Sequence, residues 1–491
     1  MYRPSDPQLP LYDAGGLLPQ EKRVRCEKTW AGVFRRHALP ILRKVEDEFE
    51  ELFHPELGRP NRPVELVLGV LILKEIQDLT DGEALERLEF DALWWWALQR
   101  EFSELHLCQK TLHNFREGLL GHQKAKVAFR RVTDELIEGL GVKVGRQRLD
   151  STQVLSNIAI LSRLRKFCET VRLFLRAVQR VQAGVYEGLP EGMRCRYGEE
   201  SKYPDAKKEQ VRRRLRVVAR DVWRLMQRFE KDKAVSSQPE WTLLKRLFEE
   251  QCRVIEKAAP PEEGDDDQGE GGAPVEVKEP SEIHGGTMQT PHDPEVTYSG
   301  HKGQGYSVQV VETCEPQNEV NLLTDVDVTP AWKGDWKQTV PAVERLEAAG
   351  HKPQELVADT QFGGAQNAAA LGQREVNLVA PVPGQTSTKP QTGTCPPPAA
   401  KCPSEEKEAL EWLRRQEASP EFRKRYAIRA GIEGTNSELK RAHGMKKLRV
   451  RGEARVKLAV YFKALACNVK RALRAWQARL WVQAQVAHAS A

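Results

Sequence analysis

Between Lys143 and Val154 the chain reads KVGRQRLDSTQV, an alternating stretch with β-branched residues on both sides of Asp150. It breaks a long run of helical periodicity. Up to about residue 140, apolar residues recur at three- and four-residue intervals, as in WAGVFRRHALPILRKVEDEFEELF and PVELVLGVLILKEIQ. TDGEALERLEFDALWWWALQ predicts a helix capped by Thr80 or Asp81. The Trp94–Trp96 triplet reads as core packing rather than a base-stacking platform, given the area tryptophan buries. KAKVAFRRVTDELIEGLG predicts a further helix ending at Gly139 or Gly141. Beyond the strand, from about Leu161 to Ala258, the chain returns to long, heavily charged helical patterns.

Strand character resumes only near residue 305. GYSVQVVETCEP and EVNLLTDVDVTP predict a hairpin, DWKQTVPAVERLEAAG a helix closed by Gly350, and PQELVADTQFGG a short apolar strand ending in an acid. AQNAAALGQ reads as helix, EVNLVAPV as a buried strand, and the C-terminal region as mostly helix. The pattern is that of a mixed α/β domain interrupted after its first strand. The expected organisation is a helical N-terminal domain (1–140), a first core segment (141–160), a helical insertion (161–258), an acidic Gly/Pro-rich linker (259–290), and the rest of the core with basic C-terminal helices (291–491).

The chain of 491 residues carries 76 Lys and Arg against 70 Asp and Glu, a net charge of +6. The acidic run PEEGDDDQGEGG (Pro261–Gly272) hides a larger basic excess, concentrated toward the C-terminus. Such asymmetry points to a nucleic-acid partner, with a solvated helical surface as the alternative. No apolar stretch approaches the roughly 20 residues that span a bilayer, and MYRPSDPQLPLYDAGG lacks the regions of a secretory signal, so a cytoplasmic location is expected. Nine scattered cysteines argue for reduced thiols. The close pair Cys395 and Cys402 supplies at most half of a zinc site.

Three acids stand out: Asp150 on the first strand, Asp359 at the end of a short buried strand, and Glu433 on the C-terminal helices. Each aspartate alone is explained as a cap or turn residue. Together they fit phosphodiester chemistry, in which two divalent ions about 3.5–4 Å apart hold the attacking and leaving oxygens in line. Mg²⁺ takes oxygen ligands and binds through few carboxylates. Glu433 sits inside YAIRAGIEGTNSELKRAHGMKKLRVRG, where Arg429, Lys440, Arg441, Lys446, Lys447, Arg449 and Arg451 crowd around only two carboxylates. If that stretch is helical, Tyr426, Arg429, Glu433 and Lys440 share one face. Gly431 and Gly434 weaken the helix but permit close backbone approach. Read alone, the stretch is better explained by a surface pair of Arg429 and Glu433 worth about 0.2–0.5 kcal/mol.

Tyr-x2-Arg-x3-Glu-x6-Lys, met by Tyr426, Arg429, Glu433 and Lys440, resembles the signature of insertion-sequence DDE transposases. LDSTQVLSNIA is similar to that family's first-aspartate strand, and ELVADTQFGGAQNAAAL to its second-aspartate strand and helix. KKLRVRG followed by LAVYFKALACNVKRAL resembles its C-terminal helix, with Asn468 as the motif asparagine. The N-terminal helices also resemble the helical domain of such enzymes. The resemblance implies a ribonuclease-H-like mixed sheet with flanking helices. Asp150, Asp359 and Glu433 would hold Mg²⁺, two ions, with Mn²⁺ as a substitute. Tyr426, Arg429, Lys440, Arg441, Lys446 and Lys447 would contact double-stranded DNA, at element ends and target. A homodimer in the synaptic complex and a bacterial-type, nucleoid-associated cytoplasmic setting are implied as well. Glu438 competes for the role of third acid but is off the Tyr-Arg-Lys register. His292 and His301 match no catalytic role. Two departures stand: GQTSTKPQTGTCPPPAAKCPS is shorter than the family's usual segment, and Phe362 replaces the usual tyrosine. A nuclease that hydrolyses without strand transfer, or an inactive DNA-binding descendant, would carry the same resemblance.

Overall fold

The protein is seen in a computed structural model that describes residues 1–4, 13–198, 208–255, 274–384 and 403–489. Cys395, Cys402 and the acidic run Pro261–Gly272 lie outside the described residues. The chain forms two compact units, one of residues 1–154, 307–329 and 334–491, the other of residues 155–306 and 330–333.

The first unit is mixed α/β. Its strands are β1 (Arg146–Val154), β2 (Gly303–Thr313, entering this unit at Ser307), β3 (Leu323–Pro330), β4 (Glu355–Val357) and β5 (Asn377–Val379). They lie side by side in the order β3-β2-β1-β4-β5, with β1, β4 and β5 parallel. Parallel neighbours require crossovers, and the helix Ala365–Gln373 makes the one between β4 and β5. Alternation along the strands sends Leu149, Leu356 and Leu378 to one face, where Val343, Leu346, Leu371, Trp412 and Leu413 complete a core. Val357 and Val379 point to the other face and pack under Phe422 and Tyr426.

The expected N-terminal helical domain of residues 1–140 belongs to this same unit. The helix Val64–Ile76 is buried nearly all round, because the long C-terminal helix Glu453–Ala489 packs against it and against Lys124–Leu140. Buried Asn468 links these layers. Its amide donates to the Leu323 carbonyl (2.8 Å) and the Thr133 hydroxyl (3.1 Å), and its oxygen accepts from the Leu323 amide (2.8 Å). Thr80 forms a capping box with Glu83, but the expected single helix breaks in two, Asp81–Phe90 and Ala92–Leu98. Asp91 causes the break by leaving the helical region and capping the second helix through the Leu93 amide. Trp94 and Trp96 are buried, in keeping with the packing reading. Lys124–Leu140 ends on Gly141, whose φ of +67° suits glycine.

The second unit is mainly helical. Arg163–Val181, Lys208–Phe229 and Pro239–Gln251 enclose a core of Phe167, Phe174, Val222, Phe229, Trp241 and Leu244. This unit extends beyond the expected insertion of residues 161–258. Val275–Val277, inside the segment read as linker, pairs antiparallel with Cys252–Val254. Backbone pairing, invisible to a compositional reading, orders that piece. Among the described residues no helix is long and apolar enough to cross a membrane.

Candidate active site

β1 and β4 run parallel with Arg146 opposite Glu355 and Arg148 opposite Val357. The pairing ends at Arg148 and Val357, and each aspartate follows its strand's last paired residue by two positions. Asp150 thus lies in the middle of β1, beside the point where the shorter β4 ends and Asp359 follows it. Asp150 is 9% exposed. Asp359 also serves the cap role expected of it singly, accepting a hydrogen bond from the Gln361 amide at 2.8 Å.

The stretch from Tyr426 to Lys440 is not one uninterrupted α-helix. Pro420–Ala427 and Gly431–Ala442 are joined by a 3₁₀ turn, Ile428–Ala430, which carries Arg429. That turn is anchored from β1. Buried Arg148 donates to the Ile428 carbonyl at 2.8 Å while its other nitrogens pair with Glu312 of β2 at 2.7 Å. Gly431 lies flat on this guanidinium, and a Cβ there would stand 2.0 Å from Arg148 Nη1. The close approach expected of Gly431 is thus realised, whereas Gly434 has nothing within 4 Å. Glu312 also accepts from the Thr435 hydroxyl (2.7 Å) and from Arg471, which ties the helix to the sheet.

So anchored, Arg429 turns its head toward all three acids. One terminal nitrogen is 3.7 Å from Asp150 Oδ1 and 3.8 Å from Asp359 Oδ2, and the other is 3.1 Å from Glu433 Oε1. The two distances from a single nitrogen cap the separation of the aspartate oxygens at their sum, 7.5 Å. Asn436, one turn after Glu433, donates to Asp150 Oδ2 at 3.0 Å, while its own Oδ1 is buried without a protein partner. On the outer side, Glu433 is 67% exposed.

Tyr426 stacks on Phe422 with ring centroids 5.4 Å apart and 8° between planes. Burial raises the pKa of its hydroxyl; Arg429 opposes that shift, and Asp359 and Asp150 add to it. Lys440 is half-buried two turns beyond Glu433, and Arg441, Lys446 and Lys447 are exposed. Glu438 is held by Arg471 at 2.8 and 3.0 Å, which accounts for its absence from the acid group. His292 pairs with Glu169 at 3.1 Å within the second unit, and His301 is exposed in a turn there.

The donor set around Arg429 is all oxygen, the chemistry of Mg²⁺ or Mn²⁺ rather than of zinc. Carboxylates within this reach fit such ions. A different group, Glu438, His443 and Cys467, has candidate ligand atoms within 4.8 Å of one another. Buried His443 donates from Nδ1 to the Glu75 carbonyl at 2.9 Å, and its Nε2 has no protein partner. Burial pushes the Cys467 thiol up to about 12, and Arg471 already occupies Glu438, so this cluster is a poor cation holder as it stands. Asn436, Arg148 and Glu312 were not singled out from the sequence. The spacing of Asn436 three residues after Glu433, and of Arg148 two before Asp150, was the available signal.

Comparison with known families gives two matches. Residues 400–473 match the family described as Transposase DDE domain, and residues 32–118 the family described as Transposase domain (DUF772). No curated protein and no solved structure matches the chain. The first match contains Tyr426, Arg429, Glu433 and Lys440, and the second lies in the N-terminal helices. Together the two matches support an insertion-sequence DDE transposase.

Proposed function

We propose that the protein cuts DNA at the terminal inverted repeats of an insertion sequence and joins the 3′ ends to target DNA by metal-dependent phosphoryl transfer. The observation that carries this reading is the gathering of Asp150, Asp359 and Glu433 around the one guanidinium of Arg429. Like charges drawn from three distant segments repel, and a fold retains them where a cation is to be held. Asp150, Asp359 and Glu433 would hold two Mg²⁺ ions, with Mn²⁺ as substitute. Bound there, such ions supply Lewis-acid stabilisation of the phosphate and a more acidic attacking water or hydroxyl. The mixed sheet, with Asp150 on its central strand, is compatible with a ribonuclease-H-like core carrying a helical insertion.

The chain's own residues do the rest. Asn436 holds the Asp150 carboxylate in orientation. Tyr426, Arg429 and Lys440, with exposed Arg441, Lys446 and Lys447, contact the DNA backbone near the element end and set its position. In the first step a water oxygen bonds to phosphorus and the 3′ oxygen leaves as a hydroxyl. In the second, that hydroxyl bonds to a target phosphorus and the target's 3′ oxygen leaves, with no covalent protein intermediate. Two ends must be cut together, so the acting form is a homodimer or larger, with the helices of residues 1–140 serving DNA binding or dimerisation.

The test supplies a pre-cleaved element end, a target plasmid and Mg²⁺. Joined product is expected from the native chain. Asp150→Asn, Asp359→Asn and Glu433→Gln should abolish joining while metal-independent end binding persists. Joining that survives Asp359→Asn sinks the reading; hydrolysis without any joining reassigns the protein to a nuclease.

A further inference from the structure

Arg429 stands where an ion held by the acids would stand, and it is loosely bonded there. Only its contact with Glu433, 3.1 Å, is a hydrogen bond; those to Asp150 and Asp359, at 3.7 and 3.8 Å, are too long to be one. Its Nε is buried with no partner. A guanidinium in a settled ion pair forks onto one carboxylate through two parallel bonds. This one is spread among three and satisfies none of them fully. A positive charge at this place offsets the mutual repulsion of the carboxylates around it.

The base of the side chain is fixed by the backbone, and its head is held by one hydrogen bond, to Glu433. The turn Ile428–Ala430 is tied to β1 through Arg148 and the Ile428 carbonyl. Beyond Cα, an arginine can move its head group by several ångströms without disturbing the backbone. A divalent ion coordinated by Asp150 and Asp359 at about 2.0–2.1 Å leaves no room for the guanidinium between them. Displaced, Arg429 remains on the face that carries Tyr426 and Lys440, and its planar fork matches a phosphate.

We infer that Arg429 is the resident counter-cation of the acid cluster, exchanged for divalent ions as a DNA phosphate takes up the guanidinium, so that ion binding and DNA binding are coupled through this one side chain. The inference rests on the reading of the three acids as ion ligands. By linkage the coupling is reciprocal: DNA must tighten ion binding by the factor by which ions tighten DNA binding.

The experiment titrates Mn²⁺ into the full-length chain and follows free Mn²⁺ by electron paramagnetic resonance, with and without a random-sequence duplex at low salt. The duplex should tighten Mn²⁺ binding by the native chain on the order of tenfold, within the usual range of coupling. Arg429→Ala should bind Mn²⁺ more tightly than the native chain in the absence of DNA, and the duplex should add little. Equal or weaker binding by Arg429→Ala overturns the inference. Should that variant fail to fold, the native chain decides: a duplex that leaves its Mn²⁺ binding unchanged overturns it as well. Asp359→Asn separates the two levels. If it binds Mn²⁺ as the native chain does, the ion-site reading itself fails. If it loses Mn²⁺ while Arg429→Ala gains nothing, only the role of Arg429 fails.

Discussion

Replacing Gly431 with alanine tests how firmly the third acid is tied to the sheet. Gly431 has helical backbone, φ −63° and ψ −26°, so alanine meets no backbone strain there. The difficulty is its neighbour. The new Cβ would lie 2.0 Å from Arg148 Nη1, 2.6 Å from Cζ and 2.7 Å from Nη2. Ordinary contact begins near 3.4 Å, so the guanidinium must retreat by about 1.4 Å, the difference from 2.0 Å. A surface arginine would simply swing away. Arg148 is 7% exposed and pinned by Glu312 and the Ile428 carbonyl, so retreat stretches a 2.8 Å bond or disturbs a buried ion pair. Overpacking costs about 1–3 kcal/mol, and a lost hydrogen bond from a charged donor about 1.5–3 kcal/mol. Alanine returns about 0.5–1 kcal/mol of helix preference. The net expectation is a loss of about 1.5–5.5 kcal/mol, read as the shift in urea midpoint multiplied by its slope. Gly434→Ala, three residues on with open space around it, should instead gain about 0.5–1 kcal/mol. Equal midpoints for the two variants would refute the pinned packing of Arg148 and the anchoring of Arg429 and Glu433 built on it.

Two further outcomes follow from charge. Burial alone would raise the pKa of Glu75, but Lys463 (2.6 Å) and Lys74 (2.8 Å) outweigh it and hold the carboxyl below its ordinary 4.5. A depressed folded pKa contributes stability above the unfolded value that is lost as pH falls through the folded one, so the gap in urea midpoint between the native chain and Glu75→Gln should narrow from about pH 7 to about pH 3. A gap independent of pH would show that Glu75 is not held ionised. Exposed Lys446 and Lys447 are expected on DNA phosphates: the double variant Lys446→Gln/Lys447→Gln should lower the slope of log affinity against log salt by about 1.8, at about 0.9 per contact. An unchanged slope places the DNA elsewhere.

What could be read from the sequence was what depends on near neighbours. The cap at Thr80, the helix end at Gly141 and the alternation around Asp150 are local patterns, and each has its counterpart in the structure. Their place on or after short strands makes Asp150 and Asp359 candidates, but it takes the parallel pairing of those strands to bring both within reach of Arg429. Register is a property of pairing, and a lone strand does not carry it. The break at Asp91 escaped notice because the apolar period continues through it; the cap that ends one helix and begins another is a backbone event. Gly431 and Gly434 look alike in the sequence, yet only Gly431 faces a side chain, contributed from almost 300 residues earlier. Arg148 and Glu312 were passed over for the same reason: each looks like an ordinary strand charge until its partner across the sheet is known.

The lopsided charge of the stretch from Tyr426 to Gly452 takes on a different meaning once its residues are separated by direction. Arg429 points inward to the acids, and Arg449 is occupied by Asp78 and by the Asp78 and Leu79 carbonyls. Arg441, Lys446 and Lys447 face solvent. A count of positive charges therefore overstates what this stretch can offer a polyanion and misses that one of its cations already serves an internal anion cluster. Glu433 lies where the two roles meet. Asp150 is nearly buried and Asp359 half-buried, so the sheet fixes those two. The third acid is mostly exposed and shares Arg429 with the other two. Its place relative to the aspartates is set by the turn that Arg148 anchors and by Thr435 and Asn436 of its own helix, which bond Glu312 and Asp150. An acid amid basic residues is thus accounted for by direction: Glu433 pairs with Arg429, which turns to the aspartates, while Arg441, Lys446 and Lys447 face solvent.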